Sequence, residues 1–162
     1  MKKNKRFDWS VNGSFAAYVY LAGFKLDEPY RNAQVCTEVF RVGRRKTTEI
    51  FGPEVTLGSP ACPPISYGHT ICLGTPVTFP EDSEPGVRPT YDNIREGIAA
   101  LQKKIDFKQN ALFRRYRQIY QHLKQEFPEE KFTFGGFGWE GPVTTAVLLR
   151  GQDFYLDLYD SP

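Results

Sequence analysis

The side chains best equipped for chemistry in this 162-residue chain are two histidines, His69 and His122, and three cysteines, Cys36, Cys62 and Cys72. Two imidazoles with lysines nearby are the equipment of acid–base phosphodiester cleavage, one ring taking a proton and the other returning it. The flanking residues do not support that use. His69-Thr70-Ile71 and His122-Leu123-Lys124 do not make a repeated His-x-Thr motif, and the chain has no nucleophile elbow, phosphate loop or His-Glu-x-x-His helix. A small nuclease or phosphodiesterase using His69 and His122 is therefore an alternative reading, and no catalytic residue is assigned. Cys62, His69 and Cys72, with Cys36 more distant, carry the ligand types of a closed zinc site, but only His69 and Cys72 have the spacing of a metal knuckle. Buried structural cysteines are the expectation, with no metal and no cofactor.

A second candidate chemistry is charge. Lys103, Lys104, Lys108, Arg114, Arg115, Arg117 and Lys124 crowd one stretch in which Asp106 is the only carboxylate. Such a run can track phosphates or an acidic protein surface, or can simply be solvated. Projected down one continuous helix, Lys103, Arg114, Arg117 and Lys124 fall opposite the apolar stripe, while Lys104, Lys108, Arg115 and His122 line one flank. Phe107 projects among these polar residues, so a bend or a contact must cover it. Together these nine residues are the candidate docking surface.

The segment from Phe132 to Trp139 invites comparison with the aromatic-glycine strand of RNA-recognition motifs, but departs from it. Gly135 stands where a basic residue is expected, and Glu140 and Pro142 replace an apolar and an aromatic residue. A glycine-rich strand bending around the helix is expected instead.

These residues need elements to hold them. Ile94, Ile98, Leu101, Ile105, Leu112, Tyr116, Ile119, Leu123 and Phe127 recur at spacings of three, four and seven, which predicts one amphipathic helix over 91–127, capped at Thr90 or Asp92 and stopped by Pro128. At about 1.5 Å per residue it would be roughly 55 Å long, so it must project, bend near 106–108 or dock on a partner, including a second copy. Phe15 to Lys25 predicts a buried strand. Gln34 to Val42 and Lys46 to Phe51 predict a hairpin with a basic tip at Arg41, Arg44, Arg45 and Lys46. Residues 52–90 hold most of the twelve prolines and predict an irregular excursion, with one edge strand over His69 to Phe79. Lys131 to Phe137, Val143 to Arg150 and Asp153 to Tyr159 predict three more strands, the last two joined at Gly151-Gln152.

The expected fold is thus a single α+β domain over 1–162, one long amphipathic helix on a curved antiparallel β-sheet of about six to seven strands, with a basic N-terminal arm over 1–14. An odd cysteine count and the lack of a secretory or membrane-spanning segment point to a cytoplasmic setting. The function expected is that of a small non-catalytic interaction protein, an inhibitor or regulator of the kind carried by phages and mobile elements, docking a protein complex or nucleic acid through the basic helix. A structural component of a larger assembly is the remaining alternative.

Overall fold

The computed structural model describes residues 12–131 and 133–160, so Lys2, Lys3, Lys5 and Arg6 of the expected basic arm, and Phe132, lie outside the described residues. Among the described residues there are eight α-helices and one two-stranded ribbon. The expected six- to seven-stranded curved sheet does not form, and the fold is mostly helical rather than α+β.

The reason is visible at the first element. α1 (Phe15–Ala22) starts at Ser14, whose hydroxyl accepts from the Ala17 amide, and stops at Gly23, which sits in the left-handed region at φ 83°. A hydroxyl N-cap and a left-handed glycine terminate a helix, so the run expected as a strand is a short capped helix. α2 (Glu28–Arg31) leads into α3 (Ala33–Phe51), where Asn32 accepts from the amides of Gln34 and Val35. The expected hairpin is absent because the alternation over Gln34 to Val42 fits two periods: both strand faces would carry apolar side chains. The buried residues Cys36, Val39, Phe40, Gly43 and Thr47 follow the helical spacing.

Gly43, expected in a turn, marks the crossing of α1 and α3. A Cβ there would lie 2.7 Å from the Tyr18 Cα, so a side chain cannot be inserted without moving a backbone. The expected basic tip is neutralised along α3. Arg41 pairs with Glu38 at 3.2 Å and Glu126 at 2.5 Å, Arg44 pairs with Glu130, Arg45 faces Glu49 at 3.6 Å, and Lys46 donates to the Leu21 carbonyl at 2.8 Å.

The 52–90 region is mostly irregular, as its prolines predict, but it packs into the core. Pro60 and Pro63 are fully buried, and Cys62 and Ile65 belong to the core. The Tyr116 hydroxyl donates to the Pro63 carbonyl at 2.7 Å and the Tyr30 hydroxyl to the Pro64 carbonyl at 2.8 Å. Proline suits this threaded position because it has no amide hydrogen to satisfy inside the protein. Farther on, α4 (Gly68–Cys72) and the ribbon of β1 (Val77–Thr78) with β2 (Gly86–Val87) replace the expected edge strand.

The expected continuous helix over 91–127 is interrupted. α5 (Ile94–Leu101) begins at Asn93, a 3₁₀ turn spans Phe107–Gln109, and α6 (Ala111–Glu126) begins at Asn110. No glycine or proline makes the break. The Asp106 carboxylate accepts from the Lys108 amide at 3.0 Å, and Asn110 Oδ1 accepts from the Leu112 and Phe113 amides at 2.9 and 3.1 Å. Short polar side chains that bond their own backbone compete with the helix, and here they restart it. α6 alone is about 24 Å long, and its stripe of Leu112, Tyr116, Ile119 and Leu123 is buried within the chain. Of the three ways to accommodate so long a helix, the chain takes the break near 106–108 rather than a projecting rod.

After α6 an irregular segment carries Phe134 and Phe137, and α7 (Pro142–Arg150) and α8 (Phe154–Asp160) follow, where three strands were expected in all. Pro142 supplies a preset first-turn φ for α7. Gly151 closes that helix, and Arg150 bonds Asp157 at 2.8 Å and Asp153 at 3.3 Å, tying α7 to α8. The main core lies among α1, α3 and α6 around Tyr18, Val39, Phe40, Tyr116, Ile119 and Leu123. A smaller cluster joins α5, α7 and α8, with the Thr90 and Tyr91 amides donating to the Leu149 carbonyl. No helix among the described residues is long and apolar enough to cross a membrane.

Candidate functional site

The two histidines are not brought into one site. His69 is buried, with Nδ1 3.3 Å from the Gly138 carbonyl and Nε2 2.8 Å from Thr145 Oγ1. A carbonyl only accepts, so Nδ1 donates to Gly138, while Nε2 pairs with Thr145 Oγ1, whose hydroxyl also donates to the Glu140 carbonyl at 3.4 Å. Both nitrogens are occupied, one holding α4 to the glycine-rich segment and the other holding it to α7. His122 instead lines a cleft of about 340 Å³ between α3 and α6, together with Gln34, Thr37, Glu38, Arg41 and Glu126.

The cysteines and His69 do not gather around a common point either, and no cluster of metal-ligating side chains occurs among the described residues. The Cys62 thiol donates to the Tyr116 carbonyl at 3.4 Å and the Cys36 thiol points to the Ala61 carbonyl at 3.7 Å. Burial disfavours the thiolate, pushing Cys62 up to about 12 and Cys72 up to about 11; Cys36 is raised by burial and then by neighbouring Cys62. Such thiols are protonated and poor nucleophiles at neutral pH.

The charged residues divide differently from the single-helix projection. Because the helix is broken between Leu101 and Ala111, Lys103, Lys104 and Lys108 do not share a register with α6, and the rows that linked them to its arginines do not exist. Within α6, Arg115 and His122 are seven apart and take the flank facing α3. Arg117 lies on the opposite flank in a cleft of about 240 Å³ with Phe113, Tyr120, Gln121 and Phe134, and Lys124 sits over the Tyr120 ring at 5.9 Å. Arg114 is exposed away from the core.

A row of aromatic contacts runs along that second flank. The segment after α6 passes back along it, Phe134 packing edge-on against Tyr120 and Phe113, Phe137 against Phe113 and Tyr116, and Trp139 against Phe107 at 5.9 Å. Trp139 is thus the side chain that meets Phe107. The segment's glycines permit the close approach: a Cβ on Gly136 would lie 2.7 Å from the Cys62 carbonyl oxygen, and one on Gly138 2.6 Å from that of Ser66. Backbone bonds of 2.7 Å from the Ile65 amide to Gly136 and from the Gly138 amide to Ile65 hold the segment there, without a sheet.

Sequence reasoning names the cations and Phe107 but misses the aromatic row. The seven-residue spacing of Phe113 and Tyr120, beside the buried stripe, is the signal that could have found it. Nothing in the sequence distinguishes Trp139 as the exposed member of the segment. Comparison with models of known protein families, with curated proteins and with solved structures found no match to this chain.

Proposed function

We propose that the chain is a small, non-catalytic, cytoplasmic interaction protein that docks an acidic macromolecule, a nucleic acid or an acidic protein face, on the cations between residues 103 and 124. One contrast carries the reading. Lys25, Arg31, Arg41, Arg44, Arg45 and Arg150 each face a carboxylate, and Lys46 caps a carbonyl; outside 103–124, Arg88, Arg95 and Lys131 also lack an ion pair among the described residues, but they are scattered rather than clustered. Among the described residues no carboxylate lies within ion-pair reach of Lys103, Lys104, Lys108, Arg114, Arg115, Arg117 or Lys124, all of them exposed. Clustered charge that is not compensated internally attracts a polyanion and releases its counterions on binding. The occupied nitrogens of His69 and the raised thiols weigh against the phosphodiesterase alternative.

Retention on heparin and on duplex DNA, followed against salt, tests the proposal. The wild-type chain is expected to elute late, with log affinity falling linearly with log salt. Replacing Arg114, Arg117 and Lys124 together by alanine is expected to flatten that slope by about one unit for each phosphate no longer neutralised. Arg45→Ala, which removes an internally paired charge, serves as the control. Equal retention and equal slope for the triple variant would sink the reading.

A further inference from the structure

We propose that Trp139 is a preorganised stacking platform for an unpaired base of a single-stranded nucleic acid, whose phosphates are taken by Lys108, Arg117 and Lys124. The inference rests on the polyanion-docking reading and narrows it to one ligand class.

Trp139 is 73% exposed, yet its ring is not free to swing. The His69 imidazole stacks against it, centroids 5.6 Å apart and planes 14° from parallel, and Phe107 braces it at 5.9 Å with a 44° tilt. His69 is itself fixed by Gly138 on one nitrogen and Thr145 on the other. One indole face is therefore partly backed, in an offset stack, by a buried ring held at both nitrogens, and most of the indole stays open to solvent. The exposed apolar side chains of α8, Tyr155, Leu156, Leu158 and Tyr159, differ in standing on a helix with no buried residue of its own.

A flat aromatic face held in place before binding loses little side-chain entropy when a ligand stacks on it. Bases suit it because each has a π-face, and stacking on aromatics with cations along the backbone is how single strands are held without sequence readout. A duplex keeps its base faces covered by its own stacking. Cations accompany the row of aromatic rings that leads away from the indole. Lys108 follows Phe107 directly. Arg117 lines the aromatic cleft of Phe113, Tyr120 and Phe134, and Lys124 stands over Tyr120 at the far end of the same row.

Fluorescence anisotropy with four labelled probes tests this on the full chain: an oligothymidylate, an abasic strand of equal length, a blunt duplex and polyglutamate. Trp139→Ala and Trp139→Phe are compared with wild type, with circular dichroism to verify folding. The oligothymidylate is expected to bind tightest. Trp139→Ala should weaken it by about five- to a hundred-and-fiftyfold, the range of one base–aromatic stack, and leave the abasic strand unaffected. Trp139→Phe should recover most of the loss. Unchanged oligothymidylate binding by Trp139→Ala, or equal wild-type affinity for the abasic strand, overturns the platform. Preference for polyglutamate or duplex overturns it too, while leaving the docking reading standing. A chain that binds none of the four probes removes both.

Discussion

Buried acids that stay neutral tie single residues to the stability of the whole. The Tyr30 and Tyr116 hydroxyls and the Cys36 and Cys62 thiols all have pKa values raised mainly by burial, Cys62 to about 12. For each, the folded chain favours the protonated form over the anion more strongly than the unfolded chain does. The stabilisation is complete below the ordinary thiol and phenol values of 9.0 and 10.0 and is lost as pH rises through the folded-state values. The urea midpoint is therefore expected to hold level up to about pH 9 and to fall steadily above it. Tyr116→Phe separates two effects of one oxygen. It removes the hydrogen bond to Pro63, costing about 1 kcal/mol at neutral pH and leaving that carbonyl without its donor, and it also removes one titrating group, so its alkaline decline should be shallower. A midpoint independent of pH across this range would contradict the burial of these groups.

Helix boundaries in this chain are set by short polar side chains, and that is the scale at which the sequence misleads most. Asn110→Ala removes the acceptor for two α6 amides and is expected to destabilise the fold by about 1 kcal/mol, read from urea denaturation, while Gln109→Ala beside it should be nearly neutral. Gly43→Ala, which sets a methyl against the α1 backbone, is expected to cost about 1–3 kcal/mol, the range for overpacking. The apolar stripe of α6 is legible because it follows one clear period between Leu112 and Leu123. Its union with α5 does not follow from that period, since the absence of glycine and proline says nothing of Asp106 and Asn110 acting as caps. Phe107 and Lys108, which do not fit a continuous helix, do mark the interruption. At α3 both candidate strand faces are apolar, so alternation and the helical period cannot be told apart, and the packing that decides between them, Gly43 against Tyr18, joins residues far apart along the chain. The cations of the candidate surface are legible by type, but their neighbours are not: which arginine meets a carboxylate depends on the packing of α3 against the end of α6. Trp139 on His69 depends likewise on how α4, α7 and the glycine-rich segment meet.

The whole molecule joins two unequal clusters, and their difference predicts how it opens. The α1, α3 and α6 core contains Tyr18, Val19, Val39, Tyr116 and Leu123 at or near complete burial. Among the described residues of α5, α7 and α8, Leu149 is the one that is buried, and Ile98, Leu101, Val143, Leu156 and Tyr159 are all more exposed than not or nearly so. Local opening free energy follows buried apolar contact, so the second cluster must open at lower cost than the first. Native-state hydrogen exchange is expected to show α3 and α6 amides exchanging only through global unfolding, with α5 and α8 amides exchanging faster and with weaker urea dependence. The Thr90 and Tyr91 amides, bonded to the Leu149 carbonyl, should group with the fast set. The two clusters are bridged by His69, which reaches from α4 to Thr145 on α7. Thr145→Val breaks that link, and it should speed exchange in α7 and loosen the backing of Trp139 while leaving α3 and α6 protected. Uniform protection across all of these helices would mean that the chain unfolds as a single unit and that the His69 link is not a boundary.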